Sequence, residues 1–139
     1  MSFTLNGDLS VGGNLTVTGN VTSVSANNLA IKDNMIYLND DLEGYVNPDL
    51  GVVGAYNDGT YHHTGFFRDA SDGVWKVFDN YQPEPDASPY IDQSNATFRI
   101  ANFQANVGYF NQIQTTSNVL VQGSLIVSSN SHITVPIGN

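Results

Sequence analysis

The chain has 139 residues, enough for one ordinary domain or for a small domain carrying two arms, and its 40% hydrophobic content is too high for a disordered chain. Only 12% of the residues are charged, about half the usual share, so Gly, Asn, Ser and Thr supply the polarity of a turn-rich β surface. The net charge of -9 with Lys32, Arg68, Lys76 and Arg99 scattered disfavours a phosphate-tracking nucleic-acid site and an anionic membrane surface, no apolar run nears the ~20 residues of a membrane-spanning helix, so no membrane insertion is expected, and the absence of Cys excludes disulfides and a thiolate zinc site.

The N-terminal arm, residues 1–26, is a run of six-residue units: Phe3-Thr4-Leu5-Asn6-Gly7-Asp8, Leu9-Ser10-Val11-Gly12-Gly13-Asn14, Leu15-Thr16-Val17-Thr18-Gly19-Asn20 and a decaying Val21-Thr22-Ser23-Val24. Each reads apolar, polar, apolar, then a turn. The alternation is that of a short strand with one buried face, and Gly with Asn or Asp is turn chemistry. No basic segment followed by an apolar core opens the chain, so no secretory signal is expected. The Asn-x-Thr sequons at Asn14, Asn20 and Asn95 read as turn residues.

Units this short cannot bury their own apolar side. A single-chain β-helix needs several stacked coils, roughly three or more repeats, and this run covers little more than one coil. Other copies supplying the missing sides of a three-sided prism is the simplest remedy, and docking on the chain's own middle region is the alternative. The expected shared core is Leu5, Leu9, Val11, Leu15 and Val17, joined from the C-terminal arm by Val119, Val121, Leu125 and Val127.

Residues 27–100 are expected to form a β-meander domain. Leu29–Ile31 and Met35–Leu38 read as strands separated by an Asp-Asn turn, and Gly44–Pro48 as a loop. Three further strands follow, at Gly51–Tyr56, Thr60–Arg68 and Val74–Phe78, joined by the tight turn Asn57-Asp58-Gly59 and the turn Asp69–Gly73. In the third strand Trp75 and Val77 share one face, and Val74, Lys76 and Phe78 the other. Gln82–Pro89 is an exposed proline-rich loop and Thr97–Ile100 a last strand.

Residues 101–139 form the C-terminal arm. Phe103, Val107 and Phe110 have the spacing of one helical turn, but the abundance of Asn, Gly and Thr and the lack of caps favour extended chain. The six-residue pattern returns in Val119-Leu120-Val121-Gln122-Gly123-Ser124 and Leu125-Ile126-Val127-Ser128-Ser129-Asn130. The fold class expected is all-β: hexad-repeat strands in an intertwined trimeric β-prism or β-helix-like stalk, with a small antiparallel meander.

The segments Leu50-Gly51-Val52-Val53-Gly54, Tyr56-Asn57-Asp58-Gly59-Thr60-Tyr61, Gly65-Phe66-Phe67-Arg68-Asp69-Ala70 and Asp72-Gly73-Val74-Trp75-Lys76-Val77-Phe78-Asp79 resemble a segment of virion structural proteins of tailed phages, those of marine cyanobacterial phages in particular. In the larger relatives this segment lies between hexad-like runs such as Gly13-Asn14-Leu15-Thr16-Val17-Thr18-Gly19-Asn20, and the likeness covers roughly residues 5–90. The resemblance implies a structural component of a tail fibre, baseplate or surface fibre, located in the virion and in contact with other virion proteins.

The candidate sites are few. Asp69-Ala70-Ser71-Asp72-Gly73 is similar to part of a calcium loop, lacks the rest of that spacing, and reads as a hairpin turn. His62 and His63 are adjacent in a strand and should point to opposite faces, so they cannot share one ion within a chain. Trp75 with Tyr56, Tyr61 and Phe67 could stack on sugars, while the plainer reading makes Trp75 the core of a small sheet. No nucleophile motif, phosphate loop or convincing carboxylate pair is present, so neither catalysis nor a cofactor is expected. The expectation is a non-enzymatic, homotrimeric fibre component of the tail or baseplate. A capsid-surface decoration or head fibre, or a module binding a host glycan or receptor through residues 50–80, is the alternative.

Overall fold

The computed structural model describes residues 1–21, 23–40, 46–130 and 132–138. Thr22 of the fourth hexad, and Gly44 and Tyr45 of the expected loop, lie outside the described residues. The strands β1 (Leu50–Asn57), β2 (Tyr61–Arg68), β3 (Trp75–Tyr81) and β4 (Arg99–Ile100) form one antiparallel sheet in the order β1-β2-β3-β4. The one helical element among the described residues is a single 3-10 turn, Pro85–Ala87.

Local chemistry fixes both hairpins. Asn57 pairs with Tyr61, Gly59 sits between them at φ +116°, and its N–H donates to Asn57 Oδ1 at 2.9 Å. Only glycine adopts that backbone angle without a Cβ clash. The second turn is closed by Asp69 N–H donating to the Val74 carbonyl at 2.9 Å and Gly73 N–H donating to the Asp69 carbonyl at 2.8 Å. β3 starts one residue later than expected and runs on to Tyr81. The β2–β3 register slips between His63 and Gly65, with Asn80 at φ 63° taking up the irregularity on β3. The expected strand at Thr97 shortens to Arg99–Ile100 because Asn95 Oδ1 accepts from both Thr97 N–H (2.9 Å) and Thr97 Oγ1 (2.6 Å), making a turn there.

The core lies on one face of the sheet. Phe67 and Phe78 are fully buried, with rings edge-on at 5.4 Å, and Tyr81, Ile91 and Phe98 close over them. The cover comes from the segment after β3, held by Tyr81 Oη, which accepts from Asp92 N–H at 3.1 Å. Asp49 ties three segments together: its carboxylate accepts from Ala70 N–H at 2.8 Å and from Ile91 N–H at 2.7 Å. Gly65 pairs with Phe78, whose ring lies over it. A Cβ at Gly65 would stand 2.4 Å from the Val52 carbonyl oxygen and 3.0 Å from the Phe78 ring. Gly65→Ala is therefore expected to destabilise the sheet by about 1–3 kcal/mol, as core overpacking does, measurable as a lower denaturation midpoint.

Two expectations are corrected. Trp75 is not core: it is 52% exposed, and Phe78 on the opposite face fills the interior. The residues that cover the sheet, Ile91 and Phe98, both lie on the Phe78 face. Leu29–Ile31 and Met35–Leu38 form no strand: no segment among the described residues pairs with them, and their apolar side chains are exposed.

The arms make no ladder among the described residues, and no helix forms over 101–118. Their backbone bends at residue 7, at 12–13 and at 18–19, then at 106, 111, 116–117, 122–123 and 129–130. In the N-terminal arm these bends fall on the Gly-containing ends of the first three hexads. After a longer interval, similar bends follow at 27, 33–34 and 38–39. Within a unit the two apolar positions differ: Val11 is 45% exposed against 70% for Leu9, and Val121 43% against 66% for Val119.

Candidate functional site

The register sorts every candidate residue onto one face or the other. Leu50, Val52 and Tyr56 on β1, His62, Thr64, Phe66 and Arg68 on β2, and Trp75, Val77 and Asp79 on β3 share the outer face, opposite the core. Tyr61, His63 and Phe67 lie on the core side. The three aromatics Tyr56, Tyr61 and Trp75 therefore do not come together. Tyr56 and Trp75 share the outer face, Tyr61 packs edge-on to His63 at 4.9 Å on the other, and Phe67 is buried.

The partner of Trp75 is Phe66. Their rings stack at 4.8 Å with planes 25° apart, and Phe66 is itself 49% exposed. Phe66 is opposite Val52 on one side and Val77 on the other, so an apolar row crosses three strands with Trp75 on its diagonal. The signal for Phe66 was available in the sequence: once the tight Asp69–Gly73 turn fixes the β2–β3 register, Phe66 falls on the Trp75 and Val77 face. Charge is confined to the ends of this face. Arg68 pairs with Trp75 at one end, and Asp79 with Arg99, at 3.3 Å, stands at the other.

Tyr56 Oη donates to Asp79 Oδ1 at 2.7 Å. That bond holds the phenol above its ordinary pKa, with desolvation adding to it, and the same bond holds the Asp79 carboxyl low. The Tyr56 hydroxyl is thus already engaged.

His62 and His63 point to opposite faces and each is bound within the protein. Their Nδ1 atoms donate to the carbonyls of Asn80 (3.2 Å) and Tyr81 (3.0 Å), since a carbonyl can only accept. Their Nε2 atoms face Asp58 at 3.7 Å and Glu84 at 3.6 Å.

At the second turn the Lys76 ammonium occupies the space between carboxylates. It donates to Asp69 Oδ2, to Asp72 Oδ2 at 2.8 Å and to Gln93 Oε1 at 2.9 Å. Asp69 is the only buried acid among the described residues. Its hydrogen bonds from Lys76, then Ser71 and Gln93, hold its carboxyl far below the usual range, and Asp72 is lowered chiefly by its bond from Lys76. Burial pulls the Lys76 ammonium down, but its bonds to the two carboxylates outweigh this and raise it. No group of three or more His, Asp or Glu able to hold a metal ion occurs among the described residues.

An open hollow of about 460 Å³ lies beside this cluster, bordered by Asn47, Asp49, Ala70, Tyr90 and Gln93. Its polar groups are engaged in holding loops together: Asp49 as described, and Asn47 Nδ2 on the Ala70 carbonyl at 3.0 Å. No family model, characterised protein or solved structure matches the chain. No helix among the described residues is long and apolar enough to cross a membrane.

Proposed function

We propose that this chain is a non-enzymatic structural protein of a phage particle, a fibre component of the tail or baseplate that works as a homotrimer. The observation that carries the reading is the state of the arms. Apolar side chains recur at the first and third positions of each unit, the backbone bends about every six residues, and most of that apolar surface lies exposed in the single chain. Repeated strands with corners but no partner gain a buried core only from further copies, and a three-sided prism suits a bend after each short strand. The resemblance of residues 5–90 to phage virion proteins supports a virion setting for such a prism, in a particle assembled in the host cytoplasm and in contact with other virion proteins. A head fibre or capsid-surface decoration would use the same trimer at another position.

Light scattering on the full chain is expected to give a trimer at low micromolar concentration, and a folded monomer there overturns the reading. Leu15→Asp is expected to dissociate the trimer, because it sets a carboxylate from each copy into a shared apolar interior where it has no partner. Unchanged mass and melting in that variant would remove the arm from the core.

A second reading, a receptor- or glycan-binding module, draws on the exposed Phe66–Trp75 pair, since solvent-facing aromatic rings are a common seat for sugars.

A further inference from the structure

We propose that the outer face of the sheet, centred on Phe66 and Trp75, is a contact between copies of this chain, so that the meander as well as the arms takes part in the trimer; this rests on the homotrimer reading above. The first support is the composition of the face. Val52, Phe66, Val77 and Trp75 form a continuous apolar area across β1, β2 and β3, while Arg68, Asp79 and Arg99 stand at its ends. An apolar centre with a charged rim is the anatomy of a protein interface.

The second support is connectivity. The meander has an arm on both sides, so a trimer formed by either arm holds three such faces at high effective concentration. A face tethered twice to its own copies meets them before it meets a diffusing partner. Each copy carries a net charge of -9, so contact between copies meets least repulsion where the surface has no acids, and the centre of this face has none.

The chemistry at the rings argues against a sugar as the occupant. A glycan platform needs polar groups converging beside the ring to meet the hydroxyls. The neighbours of the Phe66–Trp75 pair are Val52, Val77 and Arg68, which lies opposite Trp75 and donates from Nη1 to Asn47 Oδ1 at 3.5 Å, and the Tyr56 hydroxyl is engaged with Asp79. Stacking on Phe66 also occupies one face of the Trp75 ring.

Trp75 is the chain's one tryptophan, so its fluorescence reports this face alone. In the full chain, at a concentration where light scattering gives a trimer, its emission is expected to be blue-shifted from that of free tryptophan and shielded from iodide. Phe66→Glu is expected to move the emission to the red, raise iodide quenching several-fold and weaken the trimer. A trimer whose wild-type Trp75 emits like free tryptophan and is fully quenched overturns the inference and leaves the fibre reading standing. So does a Phe66→Glu variant with unchanged emission and mass. A monomer overturns both, and a shielded Trp75 in that monomer would put the chain's own arm on the face. Emission that is exposed in the trimer and turns blue only on adding a neutral hexose oligosaccharide overturns the inference in favour of a sugar site.

Discussion

Phe78→Ala is expected to unfold the meander at room temperature. Phe78 is completely buried and touches the rest of the core through its ring, stacked on Phe98 at 5.9 Å and edge-on to Phe67 at 5.4 Å and Tyr81 at 6.0 Å. Truncating a buried Phe costs about 3–5 kcal/mol, the lost transfer energy plus the cavity left behind. Whole domains are stable by only about 5–15 kcal/mol, and one whose core is four buried side chains and a partly buried Phe98 sits at the low end. The measurements are near-ultraviolet circular dichroism and amide exchange over residues 50–81, both of which should lose the native signature. Val74→Ala, at an exposed position just before β3, is the control: it should leave exchange protection inside the sheet nearly unchanged. Equal losses in the two variants would mean that the interior is not centred on Phe78.

Lys76→Met is expected to weaken the second hairpin and to flatten its response to acid. In the wild type, Asp69 and Asp72 have folded pKa values below their unfolded ones. Their stabilisation is therefore complete above the ordinary carboxylate value of about 4 and is lost as pH falls through it towards the folded values. Lys76 is raised, so its share is complete below the ordinary lysine value of about 10 and is lost at still higher pH. The melting temperature of the wild type should therefore drop between about pH 5 and about pH 3. Of this pair Asp69 supplies the larger share of the drop, because Asp72 is half exposed and screened by salt. Methionine keeps the length of the side chain but removes the charge that lowers both carboxylates. The variant should melt lower at neutral pH and show a shallower acid limb. A parallel downward shift with the same acid limb would show that the ammonium is not the cause of the low carboxyl values.

What was legible in the sequence was the local part. Asn57-Asp58-Gly59 and Asp69–Gly73 close their turns through bonds between residues no more than five apart, and both hairpins fall where their composition puts them. Alternation likewise separated Trp75 from Phe78. It could not say which face would be covered, because the cover arrives from Ile91 and Phe98, in a stretch whose prolines and turns carry no periodic signal. The same limit hid the role of Asp49, which bonds to an amide 42 residues away. The end of β3 was missed for a related reason. Asn80 adopts a positive φ beside the register slip, and its side-chain amide donates to the Thr97 carbonyl at 2.9 Å, a partner no local pattern specifies. The expected strands rested on alternation at Leu29 and Ile31 and on a short apolar run at Met35–Leu38, but neither pattern supplies a neighbouring strand. The hexads were legible as a spacing in the sequence, and the backbone of both arms bends at intervals of about five to seven residues.

The regular bends also limit how such an arm can change over generations. In the proposed prism each full unit ends in a corner, so one inserted or deleted residue would turn every later apolar side chain in the arm away from its seat. A whole added or lost unit would leave the phase intact and alter only the reach. Length variants that still assemble should therefore differ in steps of one unit, which makes the hexad the smallest heritable increment of the arm.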